Sequence, residues 1–120
     1  MKQILKKTKL KAYKKALELG SSKVIKIIKD KKLTGRGGAG FPTGTKWEMV
    51  ANEKSKEKYV ICNSDEGEPG TFKDKFIIEN NASTLIEGIL IACYAVGASK
   101  AFIYLRGEYD YLEDKLNKTI

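Results

Sequence analysis

The sequence contains no histidine, only two cysteines, two prolines and one tryptophan among its 120 residues. Without histidine it lacks the commonest general base and the usual imidazole ligand. That excludes a Ser-His-Asp hydrolase and a histidine-bound zinc site. Cys62 and Cys93 stand far apart in apolar segments, in neither CxxC nor zinc spacing. They read as buried free thiols of a reducing compartment. Arginine is scarce, with Arg36 and Arg106 the only two of 23 basic residues. No apolar run reaches the length of a bilayer span, and the most apolar stretch, residues 85–96, is interrupted by Glu87 and Gly88. The lysine-rich N-terminus has no secretory h-region. The expected location is cytoplasmic, with no direct membrane span.

The length fits one domain or part of one. The net charge of +8 hides a division. Residues 1–33 hold 12 lysines against Glu18 and Asp30, whereas residues 34–120 hold 11 basic and 13 acidic residues. The basic character therefore belongs to an N-terminal helical arm, 1–33, set before a slightly acidic body, 34–120. Such an arm is either a solvated helical face or a docking surface for an anionic partner. It has one aromatic, Tyr13, and no arginine, so it offers little for base stacking or bidentate phosphate contacts. Nucleic acid is not the expected partner.

Apolar spacing predicts the elements. Ile4, Leu5, Tyr13, Ala16, Leu17 and Leu19 suggest a loose amphipathic helix ended by Gly20. Ser21 or Ser22 is placed to cap a second helix whose face carries Val24, Ile27 and Ile28, with a short strand as the competing reading of 23–28. Trp47, Met49 and Val50 suggest a short helix. Tyr59-Val60-Ile61-Cys62 and Ala101-Phe102-Ile103-Tyr104-Leu105 read as buried strands. Between them lie a helical turn at 73–80 and a long helix capped by Ser83 and stopped by Gly97. Tyr109, Leu112 and Leu116 mark a last helix. Strand–helix–strand–helix is a βαβ unit, so the strands should be parallel. The predicted fold class is α/β, a Rossmann-like parallel sheet with flanking helices.

Two loops carry the chemistry. The first is Gly35-Arg36-Gly37-Gly38-Ala39-Gly40-Phe41-Pro42-Thr43-Gly44, which holds five of the eleven glycines. It is either a mobile linker or a backbone cradle for an anionic or planar ligand. It matches G-x-G-x-x-G, but Pro42 and Gly44 oppose a helix interior and so disfavour a standard Rossmann turn. A P-loop fails because Phe-Pro replaces Lys-Ser/Thr after Gly40. A long, mostly non-helical ligand loop remains, with Phe41 as an aromatic face and Lys46 as a cation. The second loop is Asn63-Ser64-Asp65-Glu66-Gly67-Glu68-Pro69-Gly70, directly after the first strand, where open α/β sheets bind ligands. Its three carboxylates suit a polyhydroxyl chain, a divalent ion or a solvated acidic turn.

Together the two loops resemble one family. The segments are Gly35-Arg36-Gly37-Gly38-Ala39-Gly40-Phe41-Pro42-Thr43-Gly44-x-Lys46-Trp47 and Cys62-Asn63-x-Asp65-Glu66-Gly67-Glu68-Pro69-Gly70-Thr71-Phe72-Lys73-Asp74. Leu85-Ile86-Glu87-Gly88 and Tyr104-x-Arg106-Gly107-Glu108-Tyr109 also match. Over roughly residues 24–116 the chain is similar to the N-terminal part of the FMN-containing, NADH-oxidising flavoprotein subunit of respiratory complex I, the NADH-quinone oxidoreductase. It is also similar to the diaphorase subunits of NAD-reducing hydrogenases and NAD-dependent formate dehydrogenases.

The resemblance implies an NADH dehydrogenase module that passes a hydride from NADH to FMN and then electrons to iron–sulfur centres. It implies that Gly35, Arg36, Gly37, Gly38 and Gly40, with Lys46, Asn63 and Asp65, surround FMN. Phe41, Glu66 and Glu68 would face NADH, with Glu68 the better candidate. No catalytic side chain and no metal is implied for these residues, because the cofactors carry the reaction. Met49 stands where the family often has a second aromatic. The family's second flavin segment, Gly-Glu-Glu, and its 4Fe–4S cysteines have no counterpart in residues 1–120, and neither Cys62 nor Cys93 matches those ligands. The resemblance thus implies an incomplete flavin-binding domain that works with iron–sulfur subunits of a complex I, hydrogenase or formate dehydrogenase assembly. Such a subunit would be peripheral on the cytoplasmic side of the inner membrane. The alternative is a truncated module that docks subunits, RNA or an anionic surface through its basic arm.

Overall fold

The computed structural model describes residues 9–120. Helices α1 (Lys11–Leu19), α2 (Ser21–Asp30) and α3 (Thr43–Asn52) precede strand β1 (Tyr59–Ser64). Helix α4 (Lys73–Val96) crosses over to strand β2 (Lys100–Leu105), and a 3₁₀ turn (Gly107–Leu112) leads into α5 (Glu113–Thr119). The strands are parallel, in register from Tyr59 opposite Lys100 to Ser64 opposite Leu105. The βαβ unit and the α/β class are as the sequence predicts.

Two apolar clusters flank α4. Ile78, Ala82, Tyr109, Leu112 and Leu116 form one, with Ile103 and Leu105 of β2 packed against it. Ala16, Val24, Ile25 and Ala95 form the other, joined by Leu19, Trp47, Ala51, Ile91 and Tyr94. Helices α1 and α2 therefore share a core with α4 and turn their lysines to solvent. Among the described residues, α4 qualifies by length and composition as a membrane span, which the sequence pattern does not lead one to expect. It buries Asn81 and Glu87 and is packed by helices and strands, so here it is the central helix.

Several local expectations are corrected. Residues 23–28 are helical, but the buried face is Val24 and Ile25, and Ile27 is exposed. Neither Ser21 nor Ser22 caps α2: Gly20 occupies the N-cap position. The expected break between the turn at 73–80 and the long helix is present, but it falls at Asn81 (φ −141°, ψ 38°), two residues before Ser83, and the two helical stretches run on across that kink as α4. Gly97 does stop it, in the left-handed conformation. Ile4 and Leu5 lie outside the described residues. The strands are covered by α4 on one face only, leaving Tyr59, Ile61, Phe102 and Tyr104 exposed on the other. Cys62 and Cys93 are free and half-buried.

Pro42 and Gly44 do not keep a helix away from the glycine run. Pro42 has φ −62° and serves as N-cap, a position that needs no intrahelical N–H bond, and α3 begins at Thr43. Gly44 is buried where α3 meets the end of α2. A Cβ there would lie 2.4 Å from Lys29 Cγ and 2.7 Å from the Lys29 backbone nitrogen. Alanine favours a helix by about 1 kcal/mol over glycine, but a backbone clash cannot be relieved by a rotamer change. Gly44→Ala is therefore expected to destabilise the chain by about 1–3 kcal/mol, the usual cost of overpacking. A lowered urea midpoint with an unchanged slope is the expected result; an unchanged midpoint would refute this packing account.

Candidate functional site

The glycine run is a closed loop. The Gly35 N–H donates to the Phe41 carbonyl at 2.9 Å and the Thr43 N–H to the Leu33 carbonyl at 2.9 Å. Thr34 and Pro42 form an antiparallel bridge at its neck. This pinned neck argues against a mobile linker. Inside it, Gly38 (φ 118°) and Gly40 (φ 63°) take backbone conformations that L side chains rarely adopt. Gly37 is different: its φ is unremarkable and a Cβ there would meet nothing within 4 Å.

The acidic loop leaves the C-terminal end of β1. Asn63 folds its start, its Oδ1 accepting the Asp65 N–H at 3.0 Å. The two loops face each other across a pocket of about 660 Å³. Arg36, Gly37 and Gly38 line one side; Asn63, Asp65, Glu66 and Glu68 line the other. Of the residues anticipated from sequence, these seven are brought together. Gly35, Gly40, Phe41 and Lys46 lie outside the lining, with Phe41 and Lys46 both exposed. Sequence reasoning misses Gly67, Thr71, Lys73 and Asp74, which also line the pocket. The signal for them was available: an acidic loop running straight into a helix start puts the first helical turn beside the loop.

Glu66, expected to face a dinucleotide, lines the pocket, and its side chain turns inward and is 2% exposed. It accepts the backbone N–H groups of Asp74 at 2.7 Å and Lys75 at 3.4 Å, and the Tyr109 hydroxyl at 3.0 Å. Asp74 and Lys75 are the second and third residues of α4, so Glu66 satisfies helix N–H groups that have no partner within the helix. Burial pushes its carboxyl upward, but those two backbone bonds, the Tyr109 hydroxyl and the Lys73 charge outweigh burial and leave it below the ordinary carboxylate value. Lys73 sits between acids: its 2.7 Å bond to Asp74 raises it above the usual lysine value against desolvation, and Glu66 and Glu68 add to the rise. The pocket thus has cations at Arg36 and Lys73 and solvent-facing carboxylates at Asp65 and Glu68. Among the described residues no three His, Cys, Asp or Glu side chains converge to hold a metal ion. A second groove, between α4, β2 and α5, is mostly apolar and contains neither loop.

The folded chain holds Glu66 more acidic than the unfolded chain does. Its stabilisation is therefore fully present above about pH 4.5 and is lost as the pH falls through the lower folded value. Glu66→Gln is expected to cost about 1–3 kcal/mol at neutral pH, the loss of charge-assisted bonds. It should also flatten the decline in stability between about pH 5 and about pH 3. Urea unfolding of both proteins at both pH values checks this; equal pH slopes would remove Glu66 as the source.

Residues 28–120 match the family described as the Nuo51 FMN-binding domain. The chain is 52% identical over 99 residues to one subunit of the NADH-quinone oxidoreductase of Rhizobium meliloti (strain 1021), covering 82% of this chain and 24% of that protein. It is 50% identical over 104 residues to the alpha subunit of the NAD-reducing hydrogenase HoxS of Cupriavidus necator, covering 87% of this chain and 17% of that one. Among solved structures, an NAD⁺-reducing [NiFe]-hydrogenase in the air-oxidized state superposes with a TM-score of 0.81 at 44% identity, over 82% of this chain and 18% of its own. The chain thus spans a quarter or less of the length of these relatives. With residues 28–120 matched, the chain belongs to the Nuo51 FMN-binding domain family.

Proposed function

We propose that the pocket between the glycine and acidic loops is one wall of an FMN site at which NADH docks, and that the chain works as part of an NADH dehydrogenase module. The observation that carries this is the meeting of Arg36, Gly37 and Gly38 with Asn63, Asp65, Glu68 and Lys73 around one polar pocket. The residues fit the group. Gly37 leaves open space where a side chain would stand, so a ring or phosphate can approach the backbone. Arg36 and Lys73 are cations for a phosphate, and Asn63 and Asp65 are partners for hydroxyls or ring edges.

Bound FMN would supply acceptance of a hydride from NADH and release of single electrons to iron–sulfur centres. The chain's own residues bind, orient and exclude. In this reading Gly35, Gly37, Asn63 and Asp65 hold the flavin, while Phe41 and Glu68 form the nucleotide side. Glu68 would accept ribose hydroxyls and repel the extra phosphate of NADPH. Lys46 and Gly40 belong to the outer rim. Residues 34–120 form the N-terminal half of the flavin domain and residues 1–33 its basic helical segment. The electron acceptors are iron–sulfur subunits of a complex I, hydrogenase or formate dehydrogenase assembly, peripheral on the cytoplasmic side. A docking module acting through the basic segment gains no support from relatives named as oxidoreductase and hydrogenase subunits.

The test uses the chain and a chimera in which residues 28–120 replace the matched segment of the Rhizobium meliloti protein. FMN titration should quench flavin fluorescence, and the chimera should reduce ferricyanide with NADH. Gly37→Ala should weaken FMN binding about tenfold, about 1.4 kcal/mol, without moving the thermal midpoint, because the added methyl meets only the ligand. A chimera that holds no flavin, or a Gly37→Ala variant that binds it unchanged, would sink this reading.

A further inference from the structure

In the motif Tyr104-x-Arg106-Gly107-Glu108-Tyr109, Arg106 and Tyr109 contact the acidic loop, and neither residue lines the pocket. Their contacts nevertheless converge on one point of it. Arg106 leaves the end of β2 and its Nη1 donates to the Glu66 backbone carbonyl at 2.5 Å, across 40 residues of sequence. Its own backbone N–H donates to the Ser64 carbonyl at 3.2 Å, extending the β1–β2 ladder by one bond. Glu108 holds the guanidinium from the other side, accepting from Nε at 2.8 Å and from Nη2 at 3.3 Å. The guanidinium carbon lies 5.9 Å from the Tyr109 ring centre. Tyr109 is a core residue whose hydroxyl donates to the Glu66 carboxylate at 3.0 Å, across 43 residues.

We infer that Arg106 and Tyr109 are positioning residues that lock the acidic loop from beneath, one by its backbone and the other by its buried side chain. The planar guanidinium makes this possible. It can give Nη1 to a carbonyl while Nε and Nη2 are held by a carboxylate, which a lysine ammonium does not reproduce with fixed geometry. Glu66 is thereby fixed at both its main chain and its carboxylate. Asp65 and Glu68, one and two residues away, are then presented to the pocket by a loop that cannot roll about its own axis. A loop this rich in carboxylates would otherwise spread under its own repulsion. The functional half of this inference rests on the flavin reading; the mechanical half does not.

Two variants separate the halves. Tyr109→Phe keeps the ring in the core and removes one hydroxyl; Arg106→Lys keeps the charge and removes the fork. In the 120-residue chain, hydrogen exchange at the amides of residues 65–75 is expected to speed about tenfold in each variant, while amides of α1 and α2 keep their rates. In the chimera the FMN dissociation constant is expected to rise about tenfold, measured well below the lowered thermal midpoint of each variant. Unchanged exchange at 65–75, or equal acceleration throughout the chain, would overturn the lock. Selective acceleration with unchanged FMN affinity would overturn its role in the site. A parent chimera that binds no FMN defeats the flavin reading instead, and the exchange data then decide the lock alone.

Discussion

A carboxylate taken out of water loses several kilocalories of hydration unless donors replace the lost water. Glu66 replaces it with two backbone N–H groups, a tyrosine hydroxyl and a lysine charge 3.9 Å away. Each charge-assisted bond returns about 1.5–3 kcal/mol, and the helix dipole at the α4 start adds up to about 1 kcal/mol. The acceptor is therefore satisfied only where β1, the first turn of α4 and the 3₁₀ turn after β2 meet. Pull one of these away and the buried charge is left short. This single group couples the loop that faces the pocket to the helix that carries both apolar clusters.

Glu87, farther along α4, repeats the device. Its Oε1 accepts the Tyr13 N–H at 3.0 Å, and Tyr13 is the third residue of α1. None of the described helices has a cap bond from its own N-cap side chain. Two are instead capped by glutamates from elsewhere in the chain, 8 and 74 residues away. Local rules assign a cap to the nearest hydroxyl, whereas at the starts of α1 and α4 tertiary packing supplies a distant carboxylate instead. Both glutamates stand in segments that look informative in the sequence, yet nothing in the sequence separates a helix cap from a ligand-facing acid. The inward turn of Glu66 is illegible for this reason.

The βαβ unit was legible because strand length, the apolar helix and Gly97 agree across levels. The pocket was legible because its two loops are compositionally unlike the rest. The face of the sheet that stays exposed was not legible: Ile61 and Phe102 look the same in sequence whether or not a layer covers them. Nor was the phase of α2, where Val24, Ile25, Ile27 and Ile28 offer two overlapping apolar stripes. Packing against Ala16 and Ala95 selects the one through Val24 and Ile25.

The glycine run shows how one sequence feature divides into separate physical causes. Gly44 is glycine because the Lys29 backbone occupies the space of a side chain, and this is a matter of folding. Gly37 has neither a crowded neighbour nor a left-handed backbone, yet glycine there costs about 0.5–1 kcal/mol of chain entropy relative to alanine. Among the described residues no close neighbour accounts for that cost. What remains is outside the chain: the open volume over Gly37 is the pocket that Asn63, Asp65 and Glu68 line from the opposite side. Gly44→Ala should therefore injure folding and Gly37→Ala should injure binding, although the two positions stand seven residues apart in one motif.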